Sequence, residues 1–186
     1  MAKPSRILVD LCCGLGGLSQ PFRQDPLWRV ITVDLDVRVA PDIVADIRAL
    51  PLLRPRGRLF LWASIPCDKF SRFGQPGLYP DEPAPDMSCA IAYRKIVDDW
   101  RPDAWALENV LASRRWLNPL FGPPRCVTSN HVFWGTIVLW PRVHHIKRSV
   151  GEQRGEWLRK LKRAKLPPEL GEYLARHVLA NESMSD

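Results

Sequence analysis

The chain has 186 residues, of which 46% are hydrophobic and 25% charged. That excludes a disordered chain or a disulfide-stapled mini-protein and suits one globular domain with a small appendage. The net charge of +7 is concentrated rather than spread: residues 142–165 carry nine Lys/Arg against Glu152 and Glu156, and the rest balances at 18 basic and 18 acidic residues. One segment therefore has the electrostatic footprint of a polyanion binder, a solvated basic helix face being the plainer alternative.

In chain order, the opening "MAKPSRILVDL" has no apolar signal-peptide core and passes straight into a strand-like run at residues 6–11. With no run of 18 uncharged apolar residues, a cytoplasmic protein without a membrane span is expected, with reduced thiols. The Gly-rich turn "CCGLGG" follows, then "GLSQPFRQ" as a short helix. "RVITVDLD" (29–36) and "DIVAD" (42–46) read as the second and third strands, and "RLFLWAS" (58–64) as the fourth. Residues 85–100 open on Pro85 and Asp86 and carry Met87, Ala90, Ile91, Val97 and Trp100 at helical spacing. "DAWALENV" (103–110) is the fifth strand. Near-continuous apolar strands alternating with helices predict a doubly wound, mostly parallel α/β sheet. Residues 112–130, rich in Pro, Arg and Trp, read as irregular. "HVFWGTIVLW" (131–140) reads as β, "GEWLRKLKRA" as a helix in the basic segment, and "PPELGEYLARHVLA" (167–180) as the last helix, with its prolines at the start.

Chemistry concentrates at the carboxyl ends of these strands. Gly14, Gly16 and Gly17 end the first strand and open a helix, a geometry that cradles cofactors, although such turns are common. Asp34 ends the second strand, where an acidic residue commonly accepts from ribose hydroxyls. Asp46 ends the third; it reaches the same pocket or simply caps "IRAL". Cys67 follows the fourth strand in "SIPC", and Glu108 ends the fifth in "LENV", partly desolvated. A lone cysteine or glutamate is more often structural. A thiol and a carboxylic acid over one cofactor site make a nucleophile and acid pair. The remaining cysteines (Cys12, Cys13, Cys89, Cys126) form no C-x-x-C pair, and the histidines lack zinc-ligand spacing, so no metal is expected.

Taken together, "DLCCGLGG", "VDLD", "AD" before Ile47, "IPC" and "ENV", in this order, resemble the DNA cytosine-5 methyltransferase family. The family's first motif is written D-L-F-x-G-x-G-G, its nucleophile motif P-P-C and its acid motif E-N-V. The resemblance covers residues 6–111 and reaches the end of the chain if "RAKLPPELGEYLA" is the family's final motif. It implies a Rossmann-like S-adenosylmethionine-dependent methyltransferase fold, with residues 1–111 and 166–182 as the catalytic domain. Residues 112–165 would be a reduced, irregular or β recognition segment. Implied cofactor contacts are Asp10, Cys12, Gly14, Leu15, Gly16 and Gly17, then Asp34 on the ribose, Leu35 against the adenine, Asp46 with Ile47 near its amino group, and Pro66 before the thiol. Cys67 would attack C6 of a cytosine flipped out of duplex DNA, and Glu108 would hydrogen-bond and protonate N3. Lys69, Arg72, Arg142, Lys147 and Arg148 would meet the nucleic acid.

The departures from the family pattern are specific. Cys12 stands where the first motif has an aromatic residue, and Ile65 where the nucleophile motif has its first proline. The family's Gln-x-Arg-x-Arg motif has no counterpart; Arg142 or "HHIKR" (144–148) are the substitutes in view. Only residues 112–165 fill the usual place of a target-recognition domain, as in compact phage-type enzymes. RNA such as tRNA as the substrate, a non-catalytic DNA-binding relative, and a partner subunit or dimer for target recognition stay open as alternatives. A nicotinamide-dependent enzyme leaves "IPC" and "ENV" unexplained.

Overall fold

The fold is that of a computed structural model describing residues 5–68, 70, 84–128, 131–137, 166 and 168–179. Its centre is a seven-stranded sheet in the order β3-β2-β1-β4-β5-β7-β6. The strands are β1 (Arg6–Leu11), β2 (Trp28–Asp34), β3 (Ile43–Val44), β4 (Arg58–Ser64), β5 (Ala104–Val110), β6 (Cys126–Val127) and β7 (His131–Gly135). The first five run parallel; β7 is antiparallel to β5 and to β6. This is the expected Rossmann-like, doubly wound α/β fold. Its chain order turns back between β1 and β4, which is where such sheets open a ligand crevice.

Two apolar layers cover the sheet because successive strand residues point to opposite faces. Ile7, Val9 and Leu11 of β1 join Leu59, Leu61 and Ala63 of β4 in one layer, under α2 (Ser88–Trp100) and α3 (Arg114–Phe121). Leu8, Phe60, Trp62, Ala106 and Phe133 face the other way, toward α1 (Ser19–Gln24) and α4 (Pro168–His177). α4 packs on α1 through Gly171, where a Cβ would stand 2.5 Å from the Leu18 carbonyl oxygen. In α2, Tyr93 is buried and its hydroxyl lies 2.8 Å from the Ala106 carbonyl oxygen, tying the helix to the sheet. Among the described residues, no helix is long and apolar enough to cross a membrane.

Three differences from the sequence reading stand out. Residues 114–121, read as irregular, form α3 with Pro119 inside it. Leu117 is fully buried there, with Trp116, Leu120 and Phe121 packed alongside, and this apolar stripe outweighs the missing N–H of the proline. The helix read over 85–100 begins at Ser88, because the Asp86 carboxylate accepts from the Ser88 amide at 2.8 Å. Finally, β6 and β7 lie in the stretch assigned to a separate recognition segment, yet they extend the central sheet. Phe133 and Trp134 continue one apolar layer each, and Gly135 admits β5 so closely that a Cβ would sit 2.0 Å from the Trp105 carbonyl oxygen. The basic segment 142–165 lies outside the described residues.

Candidate active site at the carboxyl edge of the sheet

The turn after β1 is built by backbone bonds. The Cys13 amide donates to the Val33 carbonyl at 3.2 Å and the Gly16 amide to the Cys13 carbonyl at 3.0 Å. Cys12, Gly14 and Gly16 all take positive φ (57°, 52° and 67°), which glycine accepts freely and Cys12 only under strain. Asp34 closes the turn from the end of β2: its Oδ2 accepts from the Gly14 amide and its Oδ1 from the Asp36 amide, both at 2.9 Å. Both oxygens keep further acceptor capacity for a ligand hydroxyl.

A small cavity sits against this turn, lined by Asp10, Cys12, Cys13, Gly14, Leu15, Gly17, Leu18, Trp62, Ser64 and Leu166. It spans β1 and β4, the two strands of the switch point. Asp10 is 1% exposed, and its Oδ2 has no hydrogen-bond partner among the described residues. Burial pushes its carboxyl up to about 7; the Ser19 hydroxyl pulls the other way and the Asp34 charge adds to the rise. A buried acceptor without a partner fits a ligand that brings an ammonium or another N–H group.

At the far side of the turn, Leu35 is 64% exposed and offers an apolar platform beyond β2. Asp46 behaves as the capping alternative describes. Its Oδ1 accepts from the Arg48 amide at 2.8 Å, and the Arg48 guanidinium grips both oxygens and holds the carboxyl down at about 2. Ile47 is buried in the α2-side layer. A contact from either residue to an adenine therefore requires Arg48 to share Asp46, or Ile47 to act through its neighbours.

The nucleophile and acid motifs meet across β4 and β5. Ser64 and Glu108 are paired in the parallel register, so the chain leaving Ser64 toward Cys67 starts beside the Glu108 carboxyl. Asn109, 1% exposed, donates from Nδ2 to the Ile65 carbonyl at 3.1 Å and so fastens the thiol-bearing turn to the acid strand. Ile65 itself is buried at 4% and anchors the turn in the core, while Pro66 is exposed. Ser64, the register partner of Glu108, also lines the cavity, whereas Glu108 and Cys67 are not among its lining residues. Burial pushes the thiols of Cys12, Cys13, Cys89 and Cys126 up, which disfavours each as a thiolate.

One residue at this edge escaped the sequence reading. His131, at the start of β7, lies with Nδ1 2.6 Å from Glu108 Oε1, and both side chains are largely buried (19% and 10% exposed). Its signal was the alternation His131–Phe133–Gly135 against the core pair Val132 and Trp134, which places His131 on the Glu108 face. Of the other expected contacts, Lys69, Arg72, Arg142, Lys147 and Arg148 lie outside the described residues. Among the described residues, no group of three or more His, Cys, Asp or Glu could hold a metal ion.

No family model matches the sequence, and no curated protein matches it. Several solved structures resemble the fold. A prophage-encoded protein of E. coli, described as a DNA modification methyltransferase, is 16% identical over 70% of this chain and 46% of its own, with a TM-score of 0.48. The chain thus spans about half the length of that protein. The antibiotic-resistance methyltransferase Kmr is 15% identical over 73% of this chain and 88% of its own, with a TM-score of 0.42. A 16S rRNA (adenine(1408)-N(1))-methyltransferase from Catenulisporales acidiphilia is 19% identical over 63% and 57%, with a TM-score of 0.35. Likenesses of this strength assign no activity to this chain; its fold class rests on its own strand order.

Proposed function

We propose that the protein is an S-adenosylmethionine-dependent methyltransferase acting on C5 of cytosine in duplex DNA. The observation that supports this reading is the Ser64–Glu108 pairing, reinforced by the bond from Asn109 to Ile65: the chain leading to Cys67 leaves β4 beside Glu108, at a strand end whose Ser64 lines the cavity. A buried acceptor at Asp10, a turn held by Asp34 and an exposed Leu35 suit the ammonium, ribose and adenine ends of S-adenosylmethionine in turn. When bound there, that cofactor supplies an activated methyl group.

The chain's own residues then do the rest. Cys67, as its thiolate, bonds through Sγ to C6 of the cytosine while the Glu108 carboxyl gives a proton to N3, so the C5–C6 electron pair becomes available at C5. After methyl transfer the C5 proton leaves to solvent, the Sγ–C6 bond breaks, and the N3 proton returns to Glu108. General acid assistance of this kind is worth about 10²–10⁴-fold. A stacked base is out of reach, so the cytosine must be flipped out at a cost of a few kcal/mol.

The test is transfer from methyl-labelled S-adenosylmethionine to duplex DNA, with single-stranded DNA and tRNA in parallel. Label is expected on C5 of duplex cytosine, abolished by Cys67→Ser and reduced about 10²–10⁴-fold by Glu108→Gln. No transfer, or transfer indifferent to Cys67→Ser, contradicts the reading; label confined to tRNA moves the substrate to RNA.

A further inference from the structure

The arginine motif that resembling proteins carry beside the target base has no counterpart in this sequence, and its suggested substitutes at Arg142 and residues 144–148 lie outside the described residues. The described structure places a different cation-capable group against the acid. Glu108 is the Cα partner of Phe133, so His131, two residues earlier on β7, is its diagonal cross-strand neighbour on the same face. A diagonal pair is within reach only of long or aromatic side chains, and here the contact closes to 2.6 Å between Nδ1 and Oε1. Thr128 fixes the histidine backbone. Thr128 donates from its amide to the His131 carbonyl at 2.8 Å and accepts from the His131 amide on its hydroxyl at 3.0 Å. The imidazole also has the Phe133 ring as its neighbour along the strand, with centroids 6.4 Å apart. Backbone, ring and carboxyl contacts together leave the histidine little rotational freedom.

We propose that His131 is the positioning residue for Glu108, donating its Nδ1–H to Oε1 so that the proton available to the base sits on Oε2. This rests on the methyl-transfer reading above. The direction follows from the chemistry. A carboxyl must keep its own proton on the oxygen that faces the base. If Nδ1 were bare, it would accept the Glu108 proton and turn the acid away from N3. With Nδ1–H as the donor, Oε1 is occupied as an acceptor, the carboxyl is held in one rotamer, and Oε2–H is free to serve N3. The His131 proton stays on Nδ1 throughout; the proton that moves to N3 and back belongs to Glu108. Among the described residues, His131 is thus the cation-capable group in contact with the acid, through a short, buried imidazole contact.

Three variants and one spectrum test this. Asn carries its amide nitrogen where His carries Nδ1, whereas Gln carries it where His carries Nε2. His131→Ala and His131→Gln are expected to lower kcat for methyl transfer about 10–100-fold, the loss of a hydrogen bond to an ionisable partner, with KM for S-adenosylmethionine unchanged. His131→Asn is expected to recover most of it. In nitrogen-15 spectra of the ligand-free protein, the His131 ring is expected with a proton on Nδ1. A bare Nδ1 overturns the proposal whether or not the protein is active. Full kcat in His131→Ala, or no recovery in His131→Asn beyond Ala, also overturns it. Covalent trapping on 5-fluorocytosine duplex separates the two readings. If the wild-type protein forms the adduct and His131→Ala is unimpaired, the positioning role alone falls. If the wild-type protein forms no adduct, the methyl-transfer reading falls, and the positioning role of His131 with it.

Discussion

Among the described residues, Asp10 and Glu108 are the two buried carboxyls, and their surroundings differ. Glu108 has His131 as its neighbour, whereas Asp10 Oδ2 has no hydrogen-bond partner among the described residues. In the unfolded chain Asp10 ionises near its ordinary value of 3.8, and in the folded protein near 7, so the folded state holds an extra proton in between. Its contribution to stability is therefore full below about pH 4 and is lost as pH rises to 7. Asp10→Asn should accordingly gain in stability over the wild-type protein as pH is raised from 5 to 8, by on the order of a few kcal/mol, as read by paired thermal melts. Saturating S-adenosylmethionine should narrow that gap, since its ammonium would partner the wild-type carboxylate. Parallel melting curves across this range would contradict the account. Which residues were legible at this scale follows from what places them. Asp34, Cys67 and Glu108 stand at strand ends, and strand ends can be read from apolar runs. His131 reaches Glu108 only through the antiparallel register of a strand that the sequence did not tie to the central sheet.

At the scale of elements, the joint between the β4 turn and β5 determines whether the thiol is held in place. Asn109→Ala removes the donor to the buried Ile65 carbonyl and leaves that oxygen without its partner. The expected outcome is a loss of about 1–3 kcal/mol in denaturant unfolding, together with slower methyl transfer at unchanged S-adenosylmethionine affinity by calorimetry. A fall in cofactor affinity with normal turnover would mean that Asn109 serves the cavity instead. The five parallel strands were read from sequence to within two residues, β1 and β4 at both ends, because a buried parallel strand is a near-continuous apolar run; β6 falls in a stretch read as irregular, and β7, read over 131–140, is a strand over His131–Gly135. α3 was not, because Pro119 argues against a helix locally while Leu117 and its apolar neighbours argue for one only once the sheet exists to receive them. The departure at Ile65 has a packing reason: the side chain is buried at 4%, so the turn before Cys67 is anchored by core contact.

At the scale of the whole molecule, the net charge sits in one segment: residues 142–165 carry an excess of seven positive charges, nine basic residues against two acidic, while the chemistry proposed above falls on the sheet. If that segment holds phosphates, DNA affinity should fall steeply with salt. Replacing Arg142, Lys147 and Arg148 by Ala should then lower the slope of log affinity against log salt by about 0.9 for each phosphate no longer neutralised, with little change in sequence preference. An unchanged slope would assign the charge to a solvated face. The central claim, methylation of cytosine at C5, is tested most directly by bisulfite-type mapping of 5-methylcytosine in DNA from cells expressing the protein. New 5-methylcytosine is expected with the wild-type chain and none with Cys67→Ser; DNA unmodified by the wild-type chain, or modified equally by Cys67→Ser, would contradict the account.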